Sequence, residues 1–257
     1  MAAVAPIIGV LIFASVATAV AQRRGGFGGG GGRFAQIPIV PNAPYDGRFT
    51  FVRVRYGPDY GFASQRLPWS HDYPAGEQHF MKIVNELSLL APRTSETNIL
   101  TFDDPQLFKY PVAYLCEPGG WTLSDQEAVS LRTYLQKGGF MIVDDFRYQH
   151  WGNFEYNMSR VFPDLRAIDL TPKHPIFHTF LEIDDFSIVH NYYDPPPPIF
   201  RAYFEGNDDR KRMMVMVNYN TDISEYWEFS DTGRQPISDS NEAFKIGVNE
   251  FIYGITH

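Results

Sequence analysis

Four side chains of this 257-residue chain could perform acid–base chemistry together if the fold brings them to one place. Asp145 lies near the end of the apolar stretch 138–146, which is typical of a buried parallel strand. Glu117 follows the preceding β-rich stretch, and His150 and His71 lie in polar, aromatic segments. Ligands of open α/β sheets bind at the carboxyl ends of strands, and a carboxylate beside an imidazole can transfer protons. Asp145, Glu117, His150 and His71 are therefore the candidate catalytic residues.

The consecutive pair Asp144-Asp145 has two interpretations. Adjacent residues of a strand point to opposite faces, so only one of these carboxylates enters a given pocket unless the strand turns. In the functional interpretation, a carboxylate with Arg147 and His150 nearby in the sequence binds a polar ligand or a hard cation. In the structural interpretation, an aspartate caps the next helix or holds the loop through backbone N–H groups. The sequence leaves both open.

Aromatic and polar side chains near the same strand ends suggest a type of ligand. Glu117 and Trp121 combine an acid with an aromatic platform, which suits sugar recognition by ring stacking and hydroxyl hydrogen bonds. Paired carboxylates on adjacent strands also suit glycoside hydrolysis. Alternatively, 117–120 is a tight turn that carries a solvated acid. The predicted ligand-binding residues are Tyr56, Trp69, Trp121, Asp144, Arg147, Asn218 and Asp222.

The sequence contains no convincing metal or cofactor motif. His174 and His178 have i, i+4 spacing, which suits a metal ion only on a helix, and Pro175 between them argues against a regular helix. His79 lies beside Glu77 in a predicted helix and is expected to be solvated. There is no His-Glu-x-x-His motif, and the glycine run precedes no helix. We therefore expect neither a metal ion nor a cofactor.

Hydrophobic periodicity predicts an α/β domain that positions these side chains. Alternating or continuous apolar runs predict strands, whereas apolar residues at i, i+3 and i+4 predict helices. The predicted strands are 49–56, 98–102, 112–116, 138–146, 165–170, 200–204 and 213–218. The predicted helices are 75–90, 122–137, a segment ending at residue 162, and 241–255, while 218–228 is interpreted as a polar loop. We expect three layers, with a mostly parallel central sheet and helices on both faces.

The composition restricts the classes of partner. The formal net charge of −8 argues against a broad polyanion-binding face, so nucleic acid is not an expected partner. The single cysteine, Cys116, excludes an intramolecular disulfide framework, which is compatible with an exported protein of this size. An aromatic content of 16 % suggests aromatic-lined surfaces as well as core.

The N-terminal region predicts export. Residues 1–21 have the apolar run and small-residue end of a signal peptide, with cleavage expected after Ala21. No basic residue precedes the run, whereas Arg23 and Arg24 follow it, so an uncleaved anchor is the alternative and the only expected membrane contact. Residues 22–44 are predicted to form a Gly/Pro-rich linker, and 45–257 a single α/β domain. We expect a periplasmic or extracellular protein.

Five blocks of the chain together resemble the bacterial domain-of-unknown-function family 4159. They are YDGRFTFVRVRYG, EPGGWTLSDQE, YLQKGGFMIVDDF, NYNTDISEYWEF and EAFKIGVNEFIYG. The resemblance covers the chain from Tyr45 onward. It implies a flavodoxin-like fold related to class I glutamine amidotransferases. It also implies export or membrane association, with partners among MoxR-type ATPases and von Willebrand A-domain proteins.

The resemblance does not carry over a catalytic nucleophile. The amidotransferase relatives place a cysteine on an elbow after the strand that corresponds to 139–143, and this chain has Asp144-Asp145-Phe146 there. Cys116 lies one strand earlier and has no Gly-x-Cys-x-Gly elbow. Glutaminase activity is therefore not expected.

The sequence favours a non-catalytic binding protein of the cell envelope. Its ligand would be carbohydrate-like or a partner protein. One alternative is a hydrolase acting on a carbohydrate-like substrate, in which Asp145 or Glu117 works with His150 or His71. Another is a structural component of a membrane-associated assembly. All of these depend on one geometric prediction, that the segments ending at Tyr56, Glu117 and Asp145 lie side by side and point the same way.

Overall fold

The carboxyl ends of neighbouring parallel strands form one edge of a central sheet. The computed structural model describes residues 36–186 and 197–257. The strands of the described residues are β1 (Ile37–Pro38), β2 (Phe51–Val54), β3 (Phe62–Ala63), β4 (Thr97–Leu100), β5 (Val112–Cys116), β6 (Phe140–Phe146), β7 (Ile168–Asp169), β8 (Ile199–Phe204) and β9 (Met213–Tyr219). The helices are α1 (Ala75–Leu87), α2 (Asp125–Gln136), α3 (His150–Val161), α4 (Ile223–Glu228) and α5 (Ile237–Thr256).

Seven of these strands form the central sheet in the order β4-β2-β5-β6-β9-β8-β7, and β1 and β3 form a separate antiparallel pair. Strands β4, β2, β5, β6 and β9 are parallel neighbours, whereas β8 runs antiparallel to β9 and β7. The segments that end at Tyr56, Glu117 and Asp145 therefore lie side by side and point the same way. The geometric prediction is confirmed, and so is the mostly parallel α/β sheet.

Helices cover both faces of the sheet because successive strand residues point to opposite sides. On one face, α2 and α3 pack on alternate residues of β2, β5 and β6, as Leu131 and Phe154 do with Val143. On the other face, α1, α4 and α5 pack on the remaining residues, as Phe80 and Trp227 do with Tyr114. Helices on both faces of a parallel sheet are the arrangement that right-handed crossovers produce.

The local signals gave accurate helix starts where a cap was present. Ser124 and Glu127 form the predicted capping box of α2. Helix α3 begins at His150, within a polar, aromatic segment, and ends at Val161, next to the predicted end at residue 162. The prediction of a polar loop over 218–228 was wrong for its second half, since Ile223–Glu228 forms α4 with most of its residues buried. The polar composition of this segment predicted a solvent-exposed loop, whereas its carboxyl groups are in fact directed into the protein.

The N-terminal predictions fall outside the described residues. The signal peptide 1–21 and the first part of the linker 22–44 precede residue 36, where the description begins. In the described ranges, no helix combines the length and the apolar character needed to cross a membrane.

Candidate functional site

An imidazole and two carboxyl groups meet at the carboxyl edge of the sheet. His71 Nδ1 lies 3.0 Å from Asp145 Oδ2 and 3.7 Å from Glu117 Oε1. Asp145 lies at the end of β6, and Glu117 directly follows the neighbouring strand β5. His71 ends a 3-10 turn, Pro68–Ser70, in the loop between β3 and α1. Three separate chain segments therefore converge, and His71 and Asp145 are 74 positions apart in the sequence.

The backbone at this edge adopts conformations that most residues avoid. Asp72, Glu117, Asp145 and Asn220 all have left-handed φ angles, of 64°, 44°, 57° and 59°. Such positions cost free energy in residues other than glycine and cluster at functional sites. At Asp145 the conformation accompanies a register shift between β6 and β9, so the strand turns and the simple alternation of its two aspartates ends. Both carboxylates of the pair therefore reach the same cluster.

The N-terminus of α4 adds more polar groups to the edge. Asp144 accepts hydrogen bonds from the backbone N–H groups of Ile223 and Ser224 and from the Tyr114 hydroxyl. Asp222 caps α4 by accepting the N–H of Glu225. Asp144 thus fits the structural interpretation of the aspartate pair, although it binds the N-terminus of α4 and not that of the next helix in the sequence. Asp145 instead faces His71.

The full cluster contains residues that sequence reasoning missed. Asp72 Oδ1 lies 3.6 Å from His71 Nδ1, and Asp72 Oδ2 accepts a hydrogen bond from the Ser224 hydroxyl. Glu225 and Glu228 lie on α4 near Asp72. The sequence signal that could have indicated Glu225 and Glu228 was the block 218–228, where acidic residues occur beside aromatic residues. We call the set the carboxylate cluster; its members are His71, Asp72, Glu117, Asp144, Asp145, Asp222, Glu225 and Glu228.

Burial and mutual repulsion disfavour negative charge on these carboxyl groups. Burial is the largest cause in each case, and the charge of Asp145, of Asp72 or of both adds to it. The pKa is raised to about 8 for Glu117 and to about 7 for Asp144, Glu225 and Glu228. The pKa values of Asp72 and Asp222 are raised as well. The cluster therefore favours bound cations or protons.

His71 is the cation that the cluster stabilises. Burial alone lowers the pKa of its imidazole, but the hydrogen bond to Asp145 and the charges of Asp72, Asp145 and Glu117 outweigh burial and raise the pKa to about 10. Asp145 therefore pairs with an imidazolium at neutral pH. This pairing orients the Asp145 carboxylate at the edge of the sheet.

A buried oxygen without a partner marks a position where a ligand could bind. Among the described residues, Asp222 Oδ2 is buried and accepts no hydrogen bond, whereas the buried carboxyl groups of Asp72 and Glu228 share a hydrogen bond. Donor atoms of His71, Asp145 and Asp222 lie within 4.8 Å of one another, and so do those of His71, Asp72 and Glu225. Either set has ligand types that could hold a metal ion.

A buried ion pair supports the loop that carries His71. Arg53 donates to both carboxylate oxygens of Glu77, at 3.0 and 2.8 Å, and both side chains are buried. Its remaining terminal nitrogen donates to the backbone carbonyls of Trp69 and His71. The expectation that His79 is solvated is wrong, since its side chain is partly buried and bonds to the Trp227 carbonyl.

The predicted aromatic ligand contacts are core residues. Trp69, Trp121 and Tyr56 are 3 %, 1 % and 5 % exposed. Tyr56 donates its hydroxyl proton toward the carbonyls of Cys116 and Glu117 and so ties two strand ends together. An indole face that is packed in the core cannot stack on a sugar ring. The predicted platform beside Glu117 is therefore absent from the described surface.

The remaining predicted residues lie outside the carboxylate cluster or support it from within. Asn218 is fully buried and donates to Glu250. His150 is exposed and packs against Gly119, two residues after Glu117, and is not part of the cluster. Arg147 is half-buried, with its guanidinium 5.9 Å from the Tyr148 ring centre. Cys116 is fully buried 4.0 Å from Asp145, and burial with the Asp145 charge raises the pKa of its thiol, which argues against a nucleophile.

The raised pKa values give the stability of the metal-free protein a defined pH dependence. Five groups bind protons more tightly in the folded state than in the unfolded state: His71, Glu117, Asp144, Glu225 and Glu228. The folded state therefore loses stability as the pH rises through the pKa values that these groups have in the folded protein. One pKa unit in one group corresponds to about 1.4 kcal/mol, and 1 kcal/mol shifts Tm by about 2–4 °C at this size. We expect Tm to fall by several degrees from about pH 6.5 to about pH 9. Thermal denaturation in the presence of EDTA measures this, and a constant or rising Tm would contradict the assigned electrostatics.

One known protein family matches the part of the chain that contains the site. The model described as a domain of unknown function, DUF4159, matches residues 50–255, which contain the whole carboxylate cluster. The comparison with curated proteins finds no match to this chain. Because the family model covers most of the sequence, the chain belongs to the DUF4159 family.

Proposed function

We propose that this protein is a hydrolase whose active centre is the edge formed by His71, Asp145 and Glu117. The observation that carries the proposal is the 3.0 Å contact between His71 Nδ1 and Asp145 Oδ2 at the carboxyl ends of parallel strands. In this centre Asp145 takes a proton from the attacking water. Glu117 protonates the leaving group as the bond to it breaks. His71 orients Asp145 and stabilises its charge.

Accessibility separates these three residues from the rest of the carboxylate cluster. The side chains of His71, Asp145 and Glu117 are 17 %, 16 % and 35 % exposed, whereas those of Asp72 and Asp222 are shielded from solvent. A substrate can therefore reach the first three, and the buried acids serve to position them. This arrangement favours the hydrolase over the non-catalytic binder, whose proposed contacts Tyr56, Trp69 and Trp121 are in the core.

The charge of the centre limits the substrate. The charges of Asp145, Asp72 and Glu117 act on the only imidazole of the cluster, so a substrate with its own negative charge would be repelled. We propose a neutral, polar substrate such as a glycoside, an ester or an amide. A carbohydrate-like substrate remains within this class, held by hydrogen bonds to carboxylates in place of ring stacking.

A substrate screen tests the proposal. The wild-type protein is incubated with para-nitrophenyl glycosides, para-nitrophenyl esters and peptide para-nitroanilides, and release of the chromophore is followed at mildly acidic and neutral pH. We expect turnover of at least one neutral class, and no turnover by a His71→Gln variant that is folded by circular dichroism. A wild-type protein inactive on the whole panel, or equal turnover by His71→Gln, would exclude this active centre.

We also propose a specific fold class and a cellular location for the protein. The parallel β5-α2-β6 unit supports a flavodoxin-like arrangement related to class I glutamine amidotransferases. We propose that the protein is exported, periplasmic or extracellular, and that it meets envelope proteins of the MoxR and von Willebrand A type. N-terminal sequencing of the exported protein tests the first point, with Gln22 as the expected first residue. An intact Met1 in the secreted fraction would contradict cleavage.

A further inference from the structure

We propose that the carboxylate cluster binds one divalent transition-metal cation through His71 Nδ1, Asp145 and Asp222, with Asp72 and Glu225 completing its surroundings. This inference deepens the proposed function, on which its catalytic meaning rests, by naming what activates the water. The ion would take the place of the proton between His71 and Asp145. The binding itself depends on the geometry of the donor atoms and is measurable without any substrate.

The donor atoms have the spacing that a small cation requires. One donor atom each from His71, Asp145 and Asp222 lies within 4.8 Å of the others, and the His71–Asp145 pair is 3.0 Å apart. Two ligands that each lie about 2.1 Å from an ion, at right angles, are about 3.0 Å from each other. The His71–Asp145 separation, which is that of the hydrogen bond between them, is thus also compatible with one edge of an octahedral site.

An unpartnered carboxylate oxygen points to a missing ligand. Asp222 is 2 % exposed, and although its Oδ1 accepts the Glu225 N–H, its Oδ2 has no partner. Asp72 is 0 % exposed, its Oδ1 lies 3.6 Å from His71 Nδ1, and its carboxyl group shares a hydrogen bond with that of Glu228. A buried polar oxygen without a partner costs about 1–3 kcal/mol, and more when it is charged. A cation beside Asp222 Oδ2 would remove that cost.

Carboxyl groups outnumber the cations around the cluster. His71 is the only cationic group among its members, whereas seven members carry carboxyl groups. The charges of Arg53 and Arg234 act on Asp72 and Glu225 from outside the cluster, but the Arg53 guanidinium is already bound by Glu77 and two backbone carbonyls. A divalent ion offsets two of the negative charges at the point where they converge.

Hydrogen bonds already hold the carboxylates in position. The Ser224 hydroxyl donates to Asp72, the Ser224 backbone N–H donates to Asp144, and the Glu225 N–H donates to Asp222. Ligand carboxylates in metal sites are typically oriented by such contacts. The N-terminus of α4 therefore acts as a rigid support for the site.

The ligand types indicate which ion binds. One imidazole nitrogen with several carboxylate oxygens suits Zn²⁺ or Mn²⁺, whereas Ca²⁺ prefers oxygen ligands alone. Among these, a mixed site binds Zn²⁺ more tightly than Mn²⁺. Zn²⁺ is therefore the probe, and Ca²⁺ is the comparison ion.

A second group of metal-ligand residue types provides a matched control. Donor atoms of His178, Glu182 and Asp184 also lie within 4.8 Å of one another, but both acids are exposed. None of their oxygens is among the buried atoms without partners. His178→Gln therefore removes a histidine from an acidic group without touching the proposed site.

Isothermal titration of the full, EDTA-treated chain with Zn²⁺ tests the inference. We expect one ion per chain in the wild type and in His178→Gln, and at least about tenfold weaker binding in His71→Gln and Asp222→Asn. Asp222→Asn retains the helix cap and removes one charge from a crowded cluster, so it is expected to fold as stably as wild type without metal. Ca²⁺ is expected to bind more weakly than Zn²⁺ by at least the same factor.

Two results would overturn the metal site. One is the absence of Zn²⁺ binding by the folded wild type. The other is unchanged affinity in both His71→Gln and Asp222→Asn, which would place the bound ion elsewhere. Hydrolysis that persists in EDTA with no Zn²⁺ binding would remove the ion and leave the proposed function intact. Zn²⁺ binding with an inactive substrate panel would retain the metal site and remove the hydrolase.

Discussion

The Asp145→Asn variant is expected to hydrolyse the preferred substrate of the wild type about 10²–10⁴-fold more slowly. Asparagine occupies the same volume, but its amide can neither accept the proton of the attacking water nor carry the charge that pairs with His71, 3.0 Å away. If a metal ion is bound, the same substitution removes one of its ligands. The effect is therefore expected in kcat whichever way the water is activated.

The matched control for this variant is Asp209→Asn. Asp209 is exposed in the turn between β8 and β9, at the opposite edge of the sheet from the cluster. It is expected to retain wild-type kcat and KM. Steady-state kinetics on the substrate found in the screen measure both variants. If Asp145→Asn retains kcat within a factor of two or three of Asp209→Asn, Asp145 does not participate in the chemistry.

The Glu77→Gln variant is expected to lose about 3–5 kcal/mol of folding free energy. Glu77 is 1 % exposed and accepts two hydrogen bonds from Arg53, which is equally buried. Glutamine preserves the shape but leaves the guanidinium charge without a counter-charge in a low-dielectric interior. Because Arg53 also holds the carbonyls of Trp69 and His71, weakening this pair loosens the loop that presents the imidazole.

Glu86→Gln provides the comparison for Glu77→Gln. Glu86 lies on the same helix, α1, and its side chain is exposed, so its substitution is expected to change stability by less than about 0.5 kcal/mol. Urea denaturation at neutral pH gives both free energies. A loss below about 1 kcal/mol in Glu77→Gln would mean that the ion pair does not stabilise the fold and that Arg53 finds compensation elsewhere.

These two variants separate the roles of two groups of charged residues. Asp145 belongs to a crowded cluster whose charges oppose one another, so its neutralisation is expected to leave stability unchanged or higher while it abolishes chemistry. Glu77 belongs to a satisfied ion pair, so its neutralisation is expected to lower stability first. A protein in which both variants lost only stability would have a structural cluster and no active centre.

The sequence by itself determined the class of fold and the direction of its strands. Alternation at 49–56 and the apolar run before Asp144 predicted the strands β2 and β6 because side chains point to each face with a period of two. The Ser124 capping box located the start of α2 because the cap and its partner are three residues apart. These signals depend only on residues that are close together in the sequence, so they can be recognised without the tertiary structure. They also placed Glu117 and Asp145 at neighbouring strand ends.

The tertiary structure alone decided which residues meet at that edge. His71 was a candidate but so was His150, and only the path of the loop after β3 brings His71 to Asp145 while His150 remains outside. The bond between Ser224 and Asp72 joins residues 152 positions apart, and no local period reports such a contact. Burial reversed the expected roles of Trp69 and Trp121 because indole rings serve equally well in a core and on a binding surface. Residue type and spacing thus determine the strands, and packing between distant segments determines the site.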